Sequence, residues 1–118
     1  MHLKLLGTSA AEGLPAIWCE CELCRKAGQL KGKDLRRRSS CLIDTDIIFD
    51  LGPDAFWQIT EFGVDLTRIK RVFCSHSHPD HTNVLEFMYR FSRCFSKVKN
   101  QITVYGNAKT LSDILNTW

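Results

Sequence analysis

Four potential metal ligands stand within six residues at His76-Ser77-His78-Pro79-Asp80-His81. Imidazole suits zinc, iron and manganese, and a carboxylate shifts the preference toward harder ions. The run directly follows Ile69 to Cys74, a short apolar stretch that reads as a strand. In a loop leaving a rigid strand, alternate residues can face one pocket, so His76 and His78 can share one ion. Asp80 and His81 are offset and can reach a second ion beside the first. Two ions about 3.5–4 Å apart form a clamp that polarises a phosphoryl or acyl oxygen and supplies hydroxide near neutral pH. The competing reading is a polar loop with chance histidines. Only four histidines occur in the chain, so a chance match has a frequency on the order of a few in ten thousand.

Cys19-x-Cys21-x-x-Cys24 is the second constellation. Three thiolates at this spacing can hold one face of a tetrahedral zinc and leave one corner open. Cys41 or His2 could fill that corner. The alternative is three reduced, uncoordinated thiols, because a disulfide across so short a loop would be strained. No second Cys-x-x-Cys occurs, which argues against a zinc ribbon. The N-terminal stretch makes a poor signal peptide, so the cysteines are expected to be thiols of a reducing cytoplasm.

The elements that must position these groups alternate between strand and helix. His2 to Leu6 has a strand's period and Gly7 ends it. A loop with two glycines leads to a short helix expected over Cys24 to Leu30. Ser40 to Ile43 and Ile47 to Phe49 read as a hairpin around Asp44-Thr45-Asp46. Asp54 is expected to cap a helix with Phe56, Ile59 and Phe62 inward, stopped by Gly63. Asn83 with Glu86 resembles a capping box for a helix whose Val84, Phe87, Met88 and Phe91 form a core stripe. Ile102 to Tyr105 is a further strand. Asn107 caps a last helix with Leu111, Ile114, Leu115 and Trp118 inward. This alternation predicts an α/β layered fold.

With 118 residues, 44% hydrophobic and 25% charged, the chain has the composition of one globular domain or part of one. No apolar run is long enough to cross a membrane as a helix, and no membrane association is expected. The net charge of +3 is modest but unevenly spread. Arg25 to Arg38 holds seven bases against Asp34 alone, and Cys41 to Leu66 holds six acids and no base. A basic loop beside an acidic segment could receive an anionic substrate or RNA; the alternative is a solvated loop.

His76-x-His78-x-Asp80-His81 resembles the signature of the metallo-β-lactamase superfamily. Ile48-Phe49-Asp50-Leu51-Gly52 resembles its strand-end Asp-x-Gly motif, which implies that Asp50 lies beside the metals and orients the ligand loop. Leu6-Gly7-Thr8, with Gly13 and Pro15, resembles the opening of the tRNase Z and phosphodiesterase branch. The cysteine cluster is similar to that of the PhnP-like cyclic phosphodiesterases, with PqqB-like proteins a close competitor. The resemblance implies a four-layer αββα sandwich of which residues 1–118 supply about the N-terminal half. It implies two divalent ions, zinc or manganese, at the histidine site: His76 and His78 for the first, Asp80 and His81 for the second. Asp80 is the implied proton acceptor, and Cys19, Cys21 and Cys24 would hold a structural zinc. A third His, a bridging Asp and a last His are implied later in the chain, and no further His and no ligand cluster follow His81.

The implied activity is hydrolysis of a cyclic or small phosphodiester, with the Arg36–Arg37–Arg38 run greeting the phosphate. This chain alone would be weak or inactive. The alternatives are a non-catalytic metal-binding fragment, or a PqqB-like or tRNase Z-like member with nucleic acid as a less favoured partner. Half of a two-sheet sandwich would leave an apolar sheet face uncovered, so self-association is expected.

Overall fold

The structure is a computed structural model and describes residues 1–116. In chain order it contains β1 (Leu3–Gly7), α1 (Glu22–Leu30), β2 (Ser40–Ile43), β3 (Ile47–Phe49), α2 (Ala55–Phe62), β4 (Arg71–Phe73), α3 (Val84–Phe91), β5 (Thr103–Tyr105) and α4 (Ala108–Leu115). Short 3₁₀ turns span Gly32–Asp34 and Leu66–Arg68. The strands form one sheet in the order β1-β2-β3-β4-β5. β1, β2 and β3 pair antiparallel, and β3, β4 and β5 pair parallel through the crossovers carrying α2 and α3. Parallel pairing requires such crossovers, whereas the β2–β3 turn at Asp44 to Asp46 permits a hairpin.

Strand alternation sorts side chains onto two faces. Leu42, Ile48, Val72 and Val104 are register neighbours on one face. The first three are buried, and with Leu6, Ile69, Cys74, Phe87 and Ile114 they form the core beneath the helices. Cys41, Phe49, Phe73 and Tyr105 are register neighbours on the other face. Phe49 stacks on Phe73 at 4.8 Å between ring centroids, and Phe73 on Tyr105 at 4.5 Å. This second face is open, with Leu3 and Leu5 more than half exposed.

Helix α1 starts at Glu22, before the expected Cys24, because Cys21 is its N-cap and its sulfur accepts from the Cys24 N–H. Helix α2 does not bury the expected face. Ala55 and Gln58 are buried, whereas Phe56 and Trp57 are 61% and 62% exposed. Asp54 makes no side-chain cap. Its carboxylate accepts instead from the Arg38 N–H and guanidinium, each at 2.8 Å, and Gln58 Nε2 donates to the Arg38 carbonyl at 2.8 Å. A polar clamp therefore sets the helix rotation and overrides the aromatic residues. Gly63 stops α2 as expected, in the left-handed conformation that lacks a Cβ penalty.

Asn83 and Asn107 cap α3 and α4 as expected, but Asn83 accepts from the Leu85 N–H and Glu86 returns no side-chain bond, so the expected capping box does not form. Phe87 is the buried residue of the α3 stripe, and Phe91 is exposed despite its spacing. In α4, Thr110 and Ile114 are buried, and Leu115 lies outward rather than in the core. The expected inward position of Trp118 lies outside the described residues. No helix among the described residues is long and apolar enough to cross a membrane.

Candidate metal centre

Strand β3 ends at Phe49, and the next residue turns sharply. Asp50 adopts φ of 58°, a left-handed conformation that Asp tolerates better than most side chains. Its N–H donates to the Phe73 carbonyl, and its own carbonyl accepts from Ser40 Oγ at 2.8 Å. These bonds turn the buried carboxylate toward the loop that leaves β4. There Oδ1 accepts from the Ser75 N–H at 2.8 Å and Oδ2 from Ser75 Oγ at 2.9 Å. Oδ2 also lies 2.7 Å from His81 Nδ1.

The tautomers follow from this network. A carboxylate accepts, so His81 Nδ1 is the donor in this contact, which in a neutral imidazole leaves Nε2 with its lone pair. Ser75 uses its single hydroxyl proton on Asp50. Its oxygen, 3.0 Å from His76 Nδ1, therefore accepts from that nitrogen. His76 Nε2 is left with its lone pair as well. Metal-ligating histidines have this arrangement, one ring nitrogen anchored and the other free.

The three imidazole rings lie side by side. The His76 ring lies 4.6 Å from the His78 ring and 4.2 Å from the His81 ring, centroid to centroid. Asp80 Oδ2 lies 3.2 Å from His81 Nε2. Two lone-pair donors at that separation repel unless a positive charge, a proton or a metal ion, lies between them. Asp80 and His81 can thus share a cation as a pair, while no three ligand atoms of the loop lie within 4.8 Å of one another. The structure brings together His76, His78, Asp80, His81 and Asp50.

The loop is fixed from below. His81 and Thr82 donate backbone N–H bonds to the His78 carbonyl, and Asn83 donates to Leu51. Thr82, 3% exposed, donates its hydroxyl to the His76 carbonyl at 2.8 Å. A Cβ on Gly52 would lie 2.3 Å from the Asp80 carbonyl oxygen, so only glycine allows this approach. Sequence reasoning missed Ser75 and Thr82, whose signal was their position at either border of the histidine motif.

Cys19, Cys21 and Cys24 place their sulfurs within 4.8 Å of one another. They are the only group among the described residues in which three ligand atoms gather so closely. Cys24 is buried and the other two are exposed. The Cys24 N–H lies 3.5 Å from Cys21 Sγ, and the Ala16 N–H lies 3.4 Å from Cys24 Sγ. The backbone bond from Cys24, then bonds with Cys19 and Cys24, pull the Cys21 thiol below its ordinary pKa. The Ala16 bond acts in the same direction on Cys24, but burial and the two neighbouring sulfurs outweigh it and raise that thiol. This trio fits a zinc ion that would neutralise converging thiolates.

Neither candidate for the fourth corner belongs to the group. Cys41 lies within β2 opposite Phe49. His2 precedes β1, its N–H on the Asp44 carboxylate at the hairpin turn. The arginine run is also occupied differently from its expected phosphate role. Arg37 pairs with Glu61 and Arg38 with Asp54. The basic and acidic segments thus meet each other across α2.

Residues 38–117 match the family described as "Anti-Pycsar protein Apyc1". The chain belongs to the Apyc1 family. This match takes in Asp50, Gly52 and the whole histidine loop of the Apyc1-family chain, and leaves out the cysteine cluster. The metallo-β-lactamase superfamily assignment holds, and the solved structures carry that fold. A diphosphatase of the PhnP family aligns with a TM-score of 0.75 and 25% identity, over 98% of this chain and 45% of its own. Zn-bound PqqB from Methylobacterium extorquens aligns with a TM-score of 0.76 and 21% identity, over 98% and 40%. Human tRNase Z, short form, gives a TM-score of 0.64 and 23% identity, over 98% and 38%.

Among curated proteins, an octanoyltransferase of Porphyromonas gingivalis is 30% identical over 97% of this chain and 22% of its own length. Coenzyme PQQ synthesis protein B of Methylobacillus flagellatus is 28% identical over 98% of this chain and 42% of its own length. The chain therefore spans less than half the length of each of these relatives. Its relatives include hydrolases of the superfamily.

Proposed function

We propose that this chain carries part of the site of a metal-dependent phosphodiesterase acting on a cyclic or small phosphodiester. The observation that carries the reading is His81, anchored at Nδ1 by Asp50 and facing Asp80 across 3.2 Å at Nε2. Divalent ions at the loop supply Lewis acidity toward a phosphoryl oxygen and lower the pKa of a water ligand. Asp80 and His81 hold one ion, and His76 and His78 the other. Asp50 and Ser75 keep His76 and His81 in the ligating tautomer. Asp80, with its side chain 15% exposed, is the group that accepts a proton from the attacking water. A structural zinc sits on Cys19, Cys21 and Cys24.

A second reading, non-catalytic metal binding, is favoured by the cysteine trio being the tightest ligand group. Metal analysis and a phosphodiester assay separate the two. Hydrolysis of bis-p-nitrophenyl phosphate with added manganese, lost in His78→Ala and kept in Cys94→Ser, supports the phosphodiesterase. Zinc held by the cysteines, with no turnover by this chain or by a longer chain that includes it, supports the second.

A further inference from the structure

At the opposite end of the sheet from the histidine loop, where β3, β4 and β5 begin, lies an open concavity of about 1030 Å³. Arg68, Lys70, Lys97 and Lys99 line it, and Asp46 is its one acidic residue. Asp46 already pairs with Arg71 at 3.5 Å. All four lining cations are exposed; Arg68 also acts on the nearby Asp65 carboxylate, while Lys70, Lys97 and Lys99 make no side-chain ion pair among the described residues. The nearby Asp65 is engaged with Thr67 through both its N–H and its hydroxyl.

The wall that carries Lys97 and Lys99 is braced. Asn100 donates to the Ile69 carbonyl at 2.9 Å, and the Arg90 guanidinium donates to the Asn100 carbonyl. Val98 is partly buried between the two exposed lysines, and the Lys97 ammonium donates to the Arg93 carbonyl at 3.4 Å. Phe95 lies in the same lining, 69% exposed, with one edge packed against Tyr89 at 5.2 Å between centroids.

Cations around a concavity attract anions, and their repulsion is relieved when phosphates enter. The space exceeds what one phosphate would fill. A solvent-facing aromatic beside the cations adds a platform for a base, the combination that binds single strands without sequence preference. A bilayer surface is flat, and cations on the walls of a concavity cannot all reach it. We propose that this basic concavity binds single-stranded nucleic acid, with phosphates on Arg68, Lys70, Lys97 and Lys99 and a base on Phe95. The site is independent of the metal centre.

The test is fluorescence anisotropy of the 118-residue chain with a labelled 12-nucleotide RNA of mixed sequence in about 50 mM salt. Saturable binding is expected, with a log affinity against log salt slope of about −2 to −3 for three or four phosphate contacts on a single strand. Lys97→Glu with Lys99→Glu should weaken binding at least tenfold, and Phe95→Ala about fivefold or more. Lys109→Glu on α4 is the charge control and should leave affinity within twofold. Each variant is checked by far-ultraviolet circular dichroism and a thermal melt. Because Lys97 and Lys99 are exposed, Lys97→Gln with Lys99→Gln serves as a second folded variant, expected to weaken binding in the same direction. No binding at 50 mM salt, an equal loss in Lys109→Glu, or no loss in Phe95→Ala each overturns the proposal. So does binding to vesicles containing 30% phosphatidylserine in the absence of RNA binding.

Discussion

Asp50 and His81 are 31 positions apart in the chain and 2.7 Å apart in space. The contact fixes which imidazole nitrogen faces the metal pocket, because the carboxylate only accepts. Asp50→Asn keeps a side chain that tolerates the left-handed backbone but removes the charge that anchors His81. Loss of such a partner typically costs ten- to a hundredfold in metal affinity. Chelator competition at the histidine loop should show a fall of about that size, with the cysteine site unaffected. Unchanged affinity would remove Asp50 from the role assigned to it.

Gly52→Ala tests steric fit at the same place. The added methyl would lie 2.3 Å from the Asp80 carbonyl oxygen, a backbone atom that cannot swing aside. Crowding of this kind costs about 1–3 kcal/mol. Chemical denaturation should show that loss, and histidine ring resonances should shift at His81 and His78. A variant as stable as the parent would contradict the geometry.

The cysteine trio should behave as a metal-linked staple between the loop at Ala16 and helix α1. Chelation is expected to lower the melting temperature and release about one zinc per chain, because an ion bound only by the folded form stabilises it. Cys24→Ser should abolish that zinc, and Cys94→Ser should not. Elemental analysis of the purified variants reads the outcome.

Glu86 supplies a pH prediction. Burial in the apolar layer beside Phe87 raises its carboxyl above the ordinary value of 4.5. The folded chain therefore holds this proton more tightly than the unfolded one. The resulting stability is present below the unfolded pKa and is lost as pH rises through the folded one. Glu86→Gln should be more stable than the parent at pH 7, and the advantage should shrink toward pH 4. Urea midpoints at the two pH values measure it, and an advantage that grows on acidification would invert the argument.

The open sheet face should drive association. Leu5, Cys41, Phe49, Phe73 and Tyr105 form one row across all five strands. Contiguous apolar surface of this kind marks an interface. Sedimentation equilibrium is expected to show self-association of the 118-residue chain, weakened by Phe73→Lys. A concentration-independent monomer would exclude it.

Much of this was legible in the sequence because ligand spacing and strand periodicity are local signals. The histidine loop, the cysteine trio, the β2–β3 hairpin and the two asparagine caps follow from neighbours a few residues apart. What escaped depended on distant partners. The rotation of α2 is set by Arg38, which bonds Asp54 and Gln58 and leaves Phe56 outward against its hydrophobicity. Ser75 went unnoticed because its partner Asp50 comes from 25 positions away. The fate of Arg37 and Arg38 was hidden for the same reason, since charge runs do not say which opposite charges they will meet.

Strands β3 and β4 are only three residues each, and Asp50 and Ser75 leave their ends within two residues. Together the strands act as a ruler with very few graduations. A single-residue deletion inside either would rotate the outgoing residue to the opposite face and detach Asp50 from the loop. In the crossover between Gly63 and Ile69, Val64 and Leu66 pack on the core, but no residue there bonds the histidine loop. Length variation in descendants of this sequence should therefore collect in the crossover, while the two short strands keep their count.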